Sequence, residues 1–198
     1  MKKLICCVLF VVVAMLGGHV VDGRVLEIDL SNMTRAAGKI VAGQCTGVKN
    51  GFHPEYPNVK VTFVDIDLYD VLKGDDGKHL QFMQFGHGIA TPHASKYKKG
   101  EKVLLFLYPE SQYGFTSPVG GWQGKLLITT DEVSGKPDFV KILNKRKLFK
   151  GLYTKKSDAM TSNIDLTNDG SKLVKYETFR QTIQAIINNG KNEEGSKE

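Results

Sequence analysis

The stretch GEKVLLFLY at residues 100–108, followed after a polar connection by VGGWQGKLLIT at 119–129, decides how this chain is read. Residues 103–108 form an unbroken apolar run, too short for a helix and apolar enough for a strand covered on both faces. Gly100 and Glu101 before it signal a turn, and Pro109 after it ends the ladder because proline has no N–H to donate. Gly120, Gly121 and Gly124 surround Trp122 and Gln123 just ahead of a second strand at 125–129. Glycines there imply positive φ or close backbone approach, with the lone tryptophan lying across the corner.

Upstream, residues 25–30 alternate, with Leu26, Ile28 and Leu30 on one side, which predicts a half-buried strand. A helical turn capped by Ser31 or Asn32 is expected at 31–38, then a strand at 40–48 and a polar connection at 49–58. Residues 59–72 form a long strand whose apolar phase shifts after Phe63 to Val64, Ile66 and Leu68. Such a slip is what a β-bulge or a sheet corner produces, and bent, bulged strands are how small antiparallel sheets curl into barrels. Residues 80–85 pair back as a hairpin. Further short strands are predicted at 139–143 and 148–153, with a polar loop at 157–170. Tyr176, Phe179, Ile183, Ile186 and Ile187 then fall on one helical stripe, closed by Asn189 and Gly190 as a left-handed cap. The fold class expected is mainly β: a single antiparallel OB-like barrel with one C-terminal α-helix.

The ends read differently. Lys2 and Lys3, an uncharged apolar run at 4–16, and small or polar residues through Gly23 have the layout of a secretory signal peptide. The expected organisation is a signal peptide at 1–23, the barrel domain with its helix at 24–190, and a disordered charged tail at 191–198. The product is then secreted or periplasmic, with no transmembrane segment after cleavage. Cys6 and Cys7 leave with the signal, so Cys45 stays as a single thiol that no intramolecular disulfide can use; it reads as a small buried hydrophobe. Two lysines and one aspartate also leave, taking the formal charge from +6 to +5. That balance speaks first to a solvated, soluble surface.

Five motifs in order resemble a family of uncharacterised secreted bacterial proteins with an OB-like β-barrel. They are I-V-x-G at Ile40 to Gly43, V-L-K-G at Val71 to Gly74, and the glycines Gly86 and Gly88. The last two are an aromatic, G-E, then F-L pattern through Tyr97, Gly100, Glu101, Phe106 and Leu107, and V-G-x-x-Q-G through Val119, Gly120, Gln123 and Gly124. His87 separates glycines that are usually adjacent, and Trp122 fills a variable position. The resemblance implies an exported domain, sometimes associated with matrixin-type metalloproteases; it supplies no catalytic residues.

Candidate chemistry is sparse. His87 and His93 flank a turn, with His79 nearby in sequence and His53 in a preceding loop, but neither H-E-x-x-H nor paired C-x-x-C occurs, and no metal or other cofactor is assigned. Asp65 and Asp67 share a strand face about 6.5–7 Å apart, a separation glycosidase carboxylates use, although such pairs come from different elements around a cleft. Glu101 reads as orienting its turn through backbone donors. Trp122, Tyr113 and Phe115, with Gln123 and neighbouring lysines, offer a stacking surface of the kind OB-type barrels use for oligosaccharides, or else a plug for the barrel mouth. The reading this supports is an exported, non-enzymatic binding or interaction module. Its expected contact residues are Trp122, Gln123, Tyr113, Phe115, His87 and His93, and its expected partner a protein or cell-envelope component, with polysaccharide as a further candidate ligand class. Alternatives are an oligosaccharide- or polyanion-binding protein using Trp122 and lysines, and a hydrolase centred on His87 and His93. Nucleic acid is not favoured.

Overall fold

The computed structural model describes residues 26–74, 77–86, 96–131, 133–134, 136–142, 148–149, 164–166 and 172–195. The proposed signal peptide at 1–23 lies outside them. Helix α1 (Leu30–Ala36) leads into β1 (Lys39–Phe52), β2 (Lys60–Lys73), β3 (His79–Phe85) and β4 (Lys102–Leu107). A single 3-10 turn (Gly121–Gly124) precedes β5 (Lys125–Thr130) and β6 (Pro137–Ile142); β7 (Ile164–Leu166), β8 (Lys172–Lys175) and helix α2 (Tyr176–Gly195) follow. The strands form one sheet in the order β3-β2-β1-β4-β5-β6-β8-β7, and every paired ladder is antiparallel.

The central strand behaves as its composition demands. Leu104 and Phe106 enter one buried cluster with α1, α2, β5 and β6, while Val103, Leu105 and Leu107 enter a second with Val41, Cys45, Val64, Ile66 and Phe82. Both faces are therefore dry, which is why no polar residue interrupts the run.

The mainly antiparallel β fold with a C-terminal helix holds, but among the described residues no ladder joins β3 to β7, so the sheet they form is not a closed barrel of strands. Around the second cluster the gap between β3 and β4 is spanned by the loop after β4. Its Phe115 makes a single parallel bridge to Met83, and its Pro118 an antiparallel bridge to Leu107. Thr116 N–H donates to the Met83 carbonyl at 3.0 Å, and Tyr108 N–H to that of Ser117 at 3.0 Å. This loop is a strap across the open side of a curled sheet.

Several local expectations change. Leu26 to Asp29 are not a strand: Leu30 begins α1, and Asp29, not Ser31 or Asn32, caps it by accepting the Asn32 N–H at 2.8 Å. The phase slip in β2 is no bulge at Phe63, because β2 pairs with β3 in unbroken register from Val61 to Asp67. Val61 is buried on the outer face and Val64 and Ile66 on the inner, so apolar residues appear on both. The bulges lie in the β1–β2 ladder instead, where Thr46, Tyr69 and Leu72 are left without an opposite residue.

Leu148 and Phe149, expected to start a strand, lie in a turn and are buried in the first cluster; 150–153 lie outside the described residues. Within the expected polar loop at 157–170, Ile164–Leu166 is a strand paired with β8. Helix α2 buries Tyr176, Phe179, Ile183 and Ile186, as its stripe predicts, but runs through Asn189 and Gly190 to Gly195. Gly190 does not take positive φ, so the expected cap and the start of the expected tail are helical. The glycine corner is as read: Gly120 and Gly121 both have φ of 66°, and a Cβ on Gly124 would sit 2.5 Å from the Val119 carbonyl oxygen.

Candidate functional site: an aromatic surface built on His53

Two loops meet at the end of the β1–β2–β3 sheet. The connection from β1 to β2 runs through His53, Pro54, Glu55, Tyr56 and Pro57, and the strap after β4 carries Glu110, Tyr113, Gly114 and Phe115. His53 joins them. Its Nδ1 faces the backbone N–H groups of Glu55 at 3.1 Å and Tyr56 at 3.2 Å, so it accepts. Its Nε2 then carries the proton and donates to the Tyr113 carbonyl oxygen at 2.8 Å. The ring is 5 % exposed and lies between Tyr56, with centroids 4.8 Å apart, and Phe115, at 5.2 Å.

Around this buried imidazole the other rings turn outward. Tyr56 meets Tyr113 edge-on at 5.9 Å and Phe85 meets Phe115 at 6.0 Å. Phe85 is 79 % exposed, Tyr113 48 % and Tyr56 43 %. Phe85 stands opposite Val61, itself opposite Gly51, and residues directly opposite share a face. The next rows on that outer face are Lys49, Phe63 and Met83, then Gly47, Asp65 and Gln81. Beyond them His79 sits opposite Asp67. The surface is thus the outer face of β2 and β3 together with the loops after β1 and β4.

The paired carboxylates have a partner the sequence did not suggest. His79 Nδ1 lies 3.0 Å from Asp67 Oδ1 and its Nε2 3.6 Å from Asp65 Oδ1, while Gln81 donates to Asp65 Oδ1 at 2.7 Å. The two acids are thereby held by cross-strand neighbours, with the Asp67 side chain 66 % exposed. Among the described residues no group of three or more His, Cys, Asp and Glu side chains is placed to hold a metal ion. Glu101 accepts the Lys98 N–H at 3.3 Å and pairs with the Lys125 ammonium at 2.5 Å, so it orients its turn and anchors β5 to it. Burial pushes the Cys45 thiol above its ordinary range, in keeping with a packing role.

Of the residues picked from sequence, Tyr113 and Phe115 belong to this surface. Trp122 does not share a ring contact with them among the described residues. It is 37 % exposed at the rim of a cleft floored by Ile28, Met33, Leu126 and Leu148, whose volume of about 40 Å³ suits a few waters. Gln123 is 8 % exposed and turned inward. Its Oε1 accepts the Ile28 N–H at 3.2 Å, and its Nε2 donates to the carbonyls of Leu26 at 3.0 Å and Gly120 at 3.3 Å. That amide replaces the strand neighbour that Leu26 to Asp29 lack. His87 and His93 lie outside the described residues. His53, Tyr56 and Phe85 were not singled out as contacts; the signal available was an HPEYP loop, with one ring between two rigid prolines and another just before them.

Among the described residues no helix is long and apolar enough to cross a membrane. Comparison with protein-family models yields no match to this chain, and comparison with curated proteins yields none.

Proposed function

We propose that this protein is an exported, non-enzymatic binding module that holds a partner on the aromatic surface around His53. The observation that carries the reading is the contrast between a fully bonded, buried imidazole and the exposed rings of Tyr56, Phe85 and Tyr113 fixed around it. Rings that pack against one another and still face solvent are the composition of an interface core, where aromatics dominate binding energy. Their support is preorganised, because Pro54 and Pro57 stiffen one loop and backbone bridges tie the other to β3 and β4. The outer face of strands 2 and 3 with the loops after strands 1 and 4 is also where OB-type barrels hold ligands, which is a fold-level analogy. The partner class is a protein of the cell envelope or the exterior, and a protease is the version the motif resemblance implies.

The test is surface mapping. Hydrogen exchange of the full chain with and without a cell-envelope extract is expected to protect residues 53–59, 81–85 and 110–116. Tyr56→Ala with Tyr113→Ala should remove that protection while leaving the fold's circular dichroism unchanged. Protection confined to the Trp122 cleft, or protection that survives the double substitution, rejects the reading.

A further inference from the structure

We infer that the aromatic surface is built for a cationic segment, a stretch of a partner protein rich in Arg or Lys, rather than for an anion or a neutral sugar. The inference rests on the binding reading above and names the chemistry of its partner. The chain as a whole is basic, with 27 Lys and Arg against 21 Asp and Glu. The two loops depart from that balance. Residues 53–59 read HPEYPNV and residues 108–118 read YPESQYGFTSP, and neither contains a Lys or Arg. Each contains one glutamate, Glu55 beside Tyr56 and Glu110 just before Tyr113, and both are exposed. The Glu110 carboxylate lies near Gly114, the residue after Tyr113: a Cβ added at Gly114 would sit 3.6 Å from Glu110 Oε1.

The sheet beneath continues the pattern with Asp65 and Asp67. Among the described residues Lys49, opposite Phe63, is outnumbered on this face, and Lys60 stands opposite Phe52 on the other one. An aromatic ring carries negative charge on its face, and a guanidinium stacks on that face while its N–H groups reach a carboxylate. Tyr56 and Tyr113 flanked by Glu55 and Glu110 supply both halves of that recognition at one place. A polyanion meets repulsion here, although the rest of the molecule would attract it. A neutral sugar gains stacking alone and leaves the carboxylates without a counter-charge.

The experiment is a calorimetric titration of the full chain with a short oligo-arginine peptide. A glycine–serine peptide of equal length, a neutral cello-oligosaccharide and a heparin fragment serve as comparison probes. Oligo-arginine is expected to bind despite the protein's positive net charge, and to weaken as salt is raised. The double variant Glu55→Gln, Glu110→Gln should lose about tenfold in affinity, and Tyr113→Ala about as much. These three side chains are exposed, and the Glu→Gln changes keep shape, so folding is not the confounder. Oligo-arginine binding that is equal in the double variant, or matched by the glycine–serine peptide, overturns the inference. Cello-oligosaccharide or heparin binding that Tyr113→Ala abolishes, without binding of oligo-arginine, overturns the cationic assignment and leaves the surface itself standing. No effect of Tyr113→Ala on any probe rejects both.

Discussion

The Nε2 of His53 lies 2.8 Å from the carbonyl oxygen of Tyr113, sixty residues away, and through that bond the loop after β1 holds the loop after β4. The same ring accepts two backbone N–H groups on its other nitrogen, so three hydrogen bonds and two ring contacts converge on one buried side chain.

His53→Ala therefore strips an acceptor from the Glu55 and Tyr56 amides and a donor from Tyr113 at once. A loss of about 2 kcal/mol in unfolding free energy is expected, read as a lower urea midpoint with an unchanged slope. Limited proteolysis should cut first within 53–59 and 110–118. His53→Gln, whose amide carries both an acceptor and a donor, should recover part of the loss. Equal proteolysis of wild type and His53→Ala would show that the ring does not tie the loops.

Gln123 invites the same reasoning with the opposite functional outcome. Its amide bonds Leu26 and Ile28 across 97 and 95 residues of chain and points away from the solvent. Gln123→Leu should cost about 2 kcal/mol and raise the exchange rate of the Ile28 amide, with no change in binding at the aromatic surface. A loss of ligand affinity at unchanged stability would return Gln123 to the role of a contact residue.

These two side chains show where sequence reasoning stops. Residues 103–108 and the stripe on α2 were legible because composition and period are local properties, and the core clusters follow from them. The corner at Gly120 to Gly124 was legible because only glycine tolerates those φ values and that approach. Leu26 to Asp29 alternate like a strand, yet among the described residues no strand pairs with them, and a side-chain amide bonds Leu26 and Ile28 instead. Asn189 and Gly190 look like a cap, but helical residues follow and the helix continues. The aromatic surface draws on the loops after β1 and β4 and the end of β3, so no single window of sequence displays it. Trp122, the residue most conspicuous by rarity, lines a separate cleft and shares no ring contact with that surface among the described residues, which its own window of sequence does not display either.

A buried hydroxyl offers a simple stabilising change. Thr34 is 1 % exposed on α1, and its Oγ1 has no hydrogen-bond partner among the described residues. Its carbonyl already accepts from Lys73 Nζ at 3.1 Å and does not depend on the side chain. Thr34→Val removes the unsatisfied hydroxyl with little change of shape, so a gain of about 1 kcal/mol is expected, seen as a higher Tm by calorimetry. A lower Tm would mean that the hydroxyl has a partner after all.

The attachment of α2 contributes to the response to alkali, together with Tyr69, whose phenol is also raised above its ordinary value by burial. Asp70 Oδ2 on β2 accepts the Tyr176 hydroxyl and the Arg180 Nε, each at 2.8 Å, so one carboxylate fastens the first turns of the helix to the sheet. Burial first, and the Asp70 hydrogen bond second, raise the Tyr176 phenol well above its ordinary value of 10.0. The unfolded chain releases that proton near the ordinary value, whereas the folded protein keeps it. Above that point the unfolded state binds fewer protons than the native one, so unfolding free energy falls as pH rises. The contribution is fully present below the unfolded value and is lost on passing upward through the folded one. Urea midpoints are thus expected to be level through neutral pH and to decline above about pH 10. Tyr176→Phe should lower the neutral-pH stability by about 1 kcal/mol through the lost bond, and flatten the alkaline decline. A decline of undiminished slope in Tyr176→Phe would place its origin in another group.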